Sequence, residues 1–146
     1  MVTKVPQDFI ASASVNIEAS PADVWHALTD PAMIRQYFFG TTVTSDWKVG
    51  SPITWQGEWQ GKPYADKGVI LQLRPRKLLQ FTHFSPLAGL ADVPENTHTV
   101  TIRLTNGGTC THVFLSQDHN PTEEARDHAQ QNWQTMLAAL KELLEK

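Results

Sequence analysis

Residues 121–145 read PTEEARDHAQQNWQTMLAALKELLE. Ala125, Ala129, Trp133, Met136, Leu137, Leu140, Leu143 and Leu144 recur at intervals of three and four, which sets them on one stripe of a helix running from Pro121 to about Glu145. At its usual rise per residue such a helix is about 37 Å long. An apolar stripe of this length needs a broad apolar surface to lie against, and the remaining sequence must supply one.

Alternating stretches supply it. Ile53, Trp55, Gly57 and Trp59 alternate with Thr54, Gln56 and Glu58, and His98, Val100, Ile102 and Leu104 alternate with Thr99, Thr101, Arg103 and Thr105. A period of two with one wet face marks the strands of an antiparallel sheet. Asn106-Gly107-Gly108 joins the second of these to a strand over 109–117, and Arg74-Pro75-Arg76 divides 65–74 from 77–84 as another hairpin. In the last strand two inward sets stay open, Thr111/Val113/Leu115 or Cys110/His112/Phe114. Glycines 57, 61 and 68 are where bulges or bends form most easily.

Helix starts share a pattern. Ser20-Pro21-Ala22-Asp23 and Asn120-Pro121-Thr122-Glu123 each give a capping side chain, proline at the first helical position and an acid at the third. Asp30-Pro31 repeats the device, so residues 21–38 divide into two short helices joined at a kink. The predicted order is a strand, two short helices, about six strands and the long helix. The fold class is α+β, a curved antiparallel sheet of about six or seven strands wrapped around the C-terminal helix, with residues 1–146 as one domain.

Composition excludes several function classes. A net charge of −3 argues against a nucleic-acid surface, and the one dense basic run, Arg74, Arg76 and Lys77, reads as a solvated turn. No apolar run reaches the roughly 18 residues of a membrane span or forms a signal peptide, which makes the cytosol the default location. Cys110 is the single cysteine, so no intramolecular disulfide can form, and it reads as an inert strand residue. The six histidines show no metal-ligand spacing, and no cofactor is implied. Glu58 and Asp66 are expected on the outer face or at a strand end, and no nucleophile-elbow motif is present.

The segments IEASPADVWHALTDP, VGSPITWQG, KGVILQLRPRKLLQFTH, NTHTVTIRLTNGGTCTHVFLSQDHNP and NWQTMLAALKELLEK resemble, in order, the consensus of the activator of Hsp90 ATPase homologue family, part of the START-like (SRPBCC) helix-grip superfamily. The resemblance runs from about residue 15 to the C-terminus. It implies a helix-grip fold in which sheet and C-terminal helix enclose a cavity for an apolar or amphipathic ligand. One fold hosts many functions here, from lipid carriers to cyclases. The co-chaperone that names the family carries a further N-terminal domain, for which 146 residues leave no room, so an Hsp90-type partner is not carried over.

With the helix as one wall, the inward faces nominate Trp55, Trp59, Phe81, His83, His98, Trp133 and Met136 as pocket lining. The alternative is a solid core; the indoles favour a cavity because rigid rings leave irregular gaps. His83 and His98 could orient a ligand or transfer a proton, or serve as hydrogen-bonded scaffolding. Asn132, beside Trp133, could donate to a ligand or cap an interior network. Residues 85–96 form a long connection containing Leu87, Leu90 and Val93, read as a lid over the pocket or, alternatively, as a segment whose leucines pack in a homodimer contact or on the outer sheet. The leading expectation is non-catalytic binding of a small hydrophobic or aromatic molecule. A cyclase- or hydrolase-like enzyme using a pocket histidine and a chaperone-linked interaction module are the alternatives.

Overall fold

The computed structural model describes residues 9–38, 40–59, 61–85 and 97–145, without the side chain of Trp59. The predicted lid, beyond Ser85, lies outside the described residues, as does the placement of the Trp59 ring.

Element order follows the sequence pattern. Strand β1 (Phe9–Ile17) leads to α1 (Pro21–Thr29) and α2 (Pro31–Tyr37), followed by β2 (Thr42–Ser45), β3 (Pro52–Trp59), β4 (Lys62–Arg74), β5 (Leu78–His83), β6 (His98–Asn106), β7 (Thr111–Asn120) and α3 (Glu123–Leu144). All seven strands form one open antiparallel sheet in the order β1-β7-β6-β5-β4-β3-β2. Ser20 caps α1, its Oγ accepting from the Asp23 N–H at 3.1 Å, and Asp30 caps α2 through the Ala32 N–H at 3.0 Å.

The third cap differs from its prediction. Thr122, not Asn120, caps α3, its Oγ1 accepting from the Ala125 N–H at 3.0 Å, so the helix begins at Glu123 rather than Pro121. Asn120 ends β7 instead, buried, with its side-chain amide donating to the carbonyls of Phe9 at 2.8 Å and Gln117 at 3.0 Å. Its Oδ1, the atom a cap would use, accepts from Gln117 Nε2 at 3.0 Å instead of from a helix N–H.

One face of the sheet carries the core. Ile53, Trp55, Ile70, Leu79, Phe81, Val100, Ile102, Val113 and Leu115 meet Met136, Leu137 and Leu140 of α3 and Val24, Ala27 and Leu28 of α1. The undecided strand β7 turns Thr111, Val113 and Leu115 inward and leaves Phe114 exposed. The predicted stripe of α3 is its buried or half-buried side.

The helix also meets the sheet edge-on. Gln130 Oε1 accepts from the Ser12 N–H at 3.2 Å, and Gln134 brackets Ser14, accepting from its N–H at 3.4 Å and donating to its carbonyl at 3.0 Å. Lys141 Nζ donates to the Asn16 carbonyl at 2.8 Å, and Glu145 Oε2 accepts from the Glu18 N–H at 2.8 Å. Side chains of α3 thus take up main-chain groups along and just beyond β1 that point away from β7, where an edge strand would otherwise leave them open.

Candidate functional site

Between sheet and helices the aromatic set leaves a cavity of about 30 Å³, lined by Trp47, Trp55, Phe81, Trp133 and Met136 with Phe38, Tyr37 and aliphatic residues. That is room for about one water molecule, and an apolar lining keeps such a space dry. Small-molecule sites usually span about 300–1,000 Å³. Polar atoms of the lining are turned elsewhere. The Trp133 indole N–H donates to Gln117 Oε1 at 2.7 Å, and the Tyr37 hydroxyl donates to the Ala27 carbonyl at 2.8 Å. Burial raises the Tyr37 phenol far above its ordinary range, so it stays protonated. Phe38 and Trp133 stand edge to face at 5.8 Å, and with Trp47 they are the half-buried aromatic residues of the lining.

Trp47 was not foreseen. Its backbone sits at φ 55°, a left-handed conformation that a bulky residue rarely adopts, and its ring lines the cavity. No periodicity reports a residue of this kind.

Beyond Trp55 the inner face turns polar. Asp66 was expected outside, but it lies directly across from Trp55 on β4, and its Oδ2 is 2.9 Å from His83 Nε2. The two side chains are only 15% and 23% exposed. His83 packs edge-on against Trp55 at 5.0 Å and lies parallel to His98 at 6.3 Å, its neighbour across β5 and β6. His98 Nδ1 donates to the Asp118 carbonyl at 2.8 Å, which sets its tautomer. Burial lowers the His98 pKa from 6.5, the bond to Asp118 opposing it and the charge of His83 adding to it. Among the described residues, two buried side-chain atoms have no hydrogen-bond partner, Asp66 Oδ1 and His83 Nδ1.

The candidates therefore divide. Trp55, Phe81, Trp133 and Met136 meet at the cavity, while His83 and His98 meet each other behind Trp55 and do not line it. Asn132 does not join them, being exposed on the far side of α3. Asp66 and Gln117 are the functional-looking residues the sequence reading missed. In β4 the set Ala65, Val69 and Leu71 looks the more apolar, yet Val69 and Leu71 are each 40% exposed while Asp66, Gly68 and Ile70 face inward.

The family model described as activator of Hsp90 ATPase homolog 1-like protein matches residues 18–145. The chain belongs to this family. A protein of Cytophaga hutchinsonii known from its solution structure is 51% identical, with a TM-score of 0.82 over 99% of this chain and 97% of its own. The Aha1 dimer of Colwellia psychrerythraea is 21% identical, with a TM-score of 0.72 over 93% of this chain and 96% of its own. CalU16 of Micromonospora echinospora is 20% identical, with a TM-score of 0.72 over 94% of this chain and 86% of its own. The last two bear on fold alone, which is helix-grip-like in all of them. Among curated proteins none matches at a significant level. For this member of the Hsp90-activator homologue family, no helix among the described residues is long and apolar enough to cross a membrane, and none of their His, Cys, Asp and Glu side chains cluster as metal ligands.

Proposed function

We propose that this chain binds a small aromatic molecule bearing a hydroxyl group, without transforming it, between the sheet and α3. The observation that carries the reading is the half-buried Asp66–His83 pair with one buried, unpartnered atom on each side chain. In the tautomer that donates Nε2–H to Asp66, Nδ1 of His83 is an acceptor, and Asp66 Oδ1 is a second one. Two buried acceptors without donors ask for a donor, and a phenolic hydroxyl with its ring against Trp55 supplies one. The apolar part of the ligand would enter the space now reduced to about 30 Å³, with Phe38 and Trp133 separating to admit it.

Isothermal calorimetry with naphthol and naphthalene tests this. Naphthol should bind more tightly, and Asp66→Asn together with His83→Ala should abolish the preference, which at about 1.5–3 kcal/mol for a hydrogen bond to a charged group is roughly tenfold or more. Equal affinity for the two compounds, or binding of neither across a series of hydroxylated aromatics, would refute the proposal. A carboxylate orienting an imidazole is also the arrangement of a general base, which is the reason to keep proton transfer as the second reading. Turnover of a bound phenol that disappears with His83→Ala would favour it.

A further inference from the structure

A second concavity, of about 750 Å³, opens where the β4–β5 turn and the end of β6 approach the start of α1. Arg74, Arg76, Lys77 and Arg103 line it, and among the described residues no carboxylate does. The pairing of the strands explains the clustering. Arg74 lies opposite Leu78, and Leu78 opposite Arg103, so two arginines flank one leucine in a row across β4, β5 and β6. Leu78 and Leu104 are buried and give the groove an apolar floor beneath the arginine stems.

Among the described residues no acid compensates these charges, in a chain whose net charge is −3. Of the five arginines in the sequence, three are in this groove. The other two are engaged, Arg35 with the Thr42 hydroxyl and Arg126 with Glu123 and Asp127. The groove arginines make no side-chain hydrogen bond or ion pair among the described residues.

Arg76 is held at a cost. The Lys77 N–H donates to the Arg74 carbonyl at 2.9 Å, closing a turn with Pro75 at its second position and Arg76 at its third, where φ is 67°. That position favours glycine or asparagine, because a side chain in the left-handed region is strained. An arginine occupies it and adds its charge to the groove.

We propose that this groove binds a soluble small molecule carrying two or more adjacent phosphoryl groups. Guanidinium forks pair with phosphate oxygens bidentately, which suits three arginines better than a bare requirement for positive charge would. The volume falls within the range of small-molecule sites. Four cations are too few to track a nucleic-acid duplex but enough to neutralise a pyrophosphate unit.

The test is calorimetry of the full chain at low ionic strength with pyrophosphate and tripolyphosphate, and with sulfate at matched ionic strength. Both polyphosphates should bind, at least tenfold more tightly than sulfate and more weakly as salt is raised. R103Q should lose at least tenfold in affinity. R76G is the sharper variant, since glycine relieves the turn: thermal stability should hold or rise while pyrophosphate affinity falls at least fivefold. Pyrophosphate binding no better than sulfate, or unchanged in both variants, overturns the proposal. So does sedimentation with phosphoinositide-containing vesicles that pyrophosphate fails to compete away, which would make the ligand a membrane headgroup. Naphthol binding between sheet and α3 should be the same in R103Q, so the two sites fail or stand separately.

Discussion

Gly68→Ala should be among the most damaging single substitutions in this chain, although Gly68 adopts no unusual φ. A Cβ at this position would lie 1.7 Å from the carbonyl oxygen of Thr82 and 2.7 Å from its carbonyl carbon. Both atoms belong to the main chain, so no side-chain rotation relieves the overlap. To bring the oxygen out to 3.0 Å, β4 and β5 must part by about 1.3 Å. Three hydrogen bonds bridge the strands here, Lys67 N–H to the Phe84 carbonyl at 3.0 Å, Phe84 N–H to the Lys67 carbonyl at 2.8 Å and Val69 N–H to Thr82 Oγ1 at 2.8 Å. At about 1 kcal/mol net for each, their loss together with loosened packing of the fully buried Ile70 comes to roughly 3–4 kcal/mol. That is a large part of the roughly 5–15 kcal/mol that holds a domain folded. Equilibrium urea denaturation should register it, with a fall in melting temperature of about 10 °C. Gly57→Ala is the control. Its Cβ would meet the ring end of Tyr64, 2.7 Å from the hydroxyl, and that ring can swing away for little more than its hydrogen bond to Thr41. A destabilisation by Gly68→Ala below about 1 kcal/mol, or one no larger than that of Gly57→Ala, would refute the reasoning.

The remaining predictions concern the polar network and the pH response. Trp133→Phe leaves Gln117 Oε1 without its donor and should cost about 1–2 kcal/mol, whereas Asn132→Ala, one position away and exposed, should stay within about 0.5 kcal/mol; thermal unfolding separates the two. His98 titrates below its ordinary 6.5 in the folded chain, so the unfolded state binds more protons between the two values and stability must fall as pH drops through that window. His98→Gln should flatten that slope, and an NMR titration midpoint for His98 at or above 6.5 would contradict it. Glu145 behaves in the opposite sense: the Glu18 N–H and Lys141 hold its pKa below 4.5, so its contribution is present above that value and disappears as pH falls through the depressed one. The stability gap between the parent chain and Glu145→Gln should close correspondingly in acid.

Much of this architecture is legible in the sequence because it rests on local rules. The stripe from Ala125 to Leu144, the caps at Ser20 and Asp30 and the alternation of β3 and β6 each follow from neighbours within a few residues. What escaped reading depends on partners far along the chain. Asp66 looks like a surface acid until His83, 17 residues on, is placed beside it. Gly68 could be flagged as a bend but not as the place where the main chain of Thr82 comes too close for any side chain. Asn120 has the right identity for a helix cap and is claimed by Phe9, 111 residues away. Arg103 looks like one wet-face residue among threonines, and only strand pairing sets it beside Leu78 and Arg74. Cavity size belongs to the same class, since it is the residue of how several rings pack and no pattern encodes it.

The row of contacts from α3 to the margin of β1 has a consequence for assembly. A sheet recruits another chain only through a margin whose amides and carbonyls are unoccupied, and on this side Gln130, Gln134, Lys141 and Glu145 take up main-chain groups of Ser12, Ser14, Asn16 and Glu18. Joining of sheets between copies of this chain through β1 must first displace these side chains, so strand addition there costs their hydrogen bonds. The helix that anchors the core thus also guards one margin of the sheet.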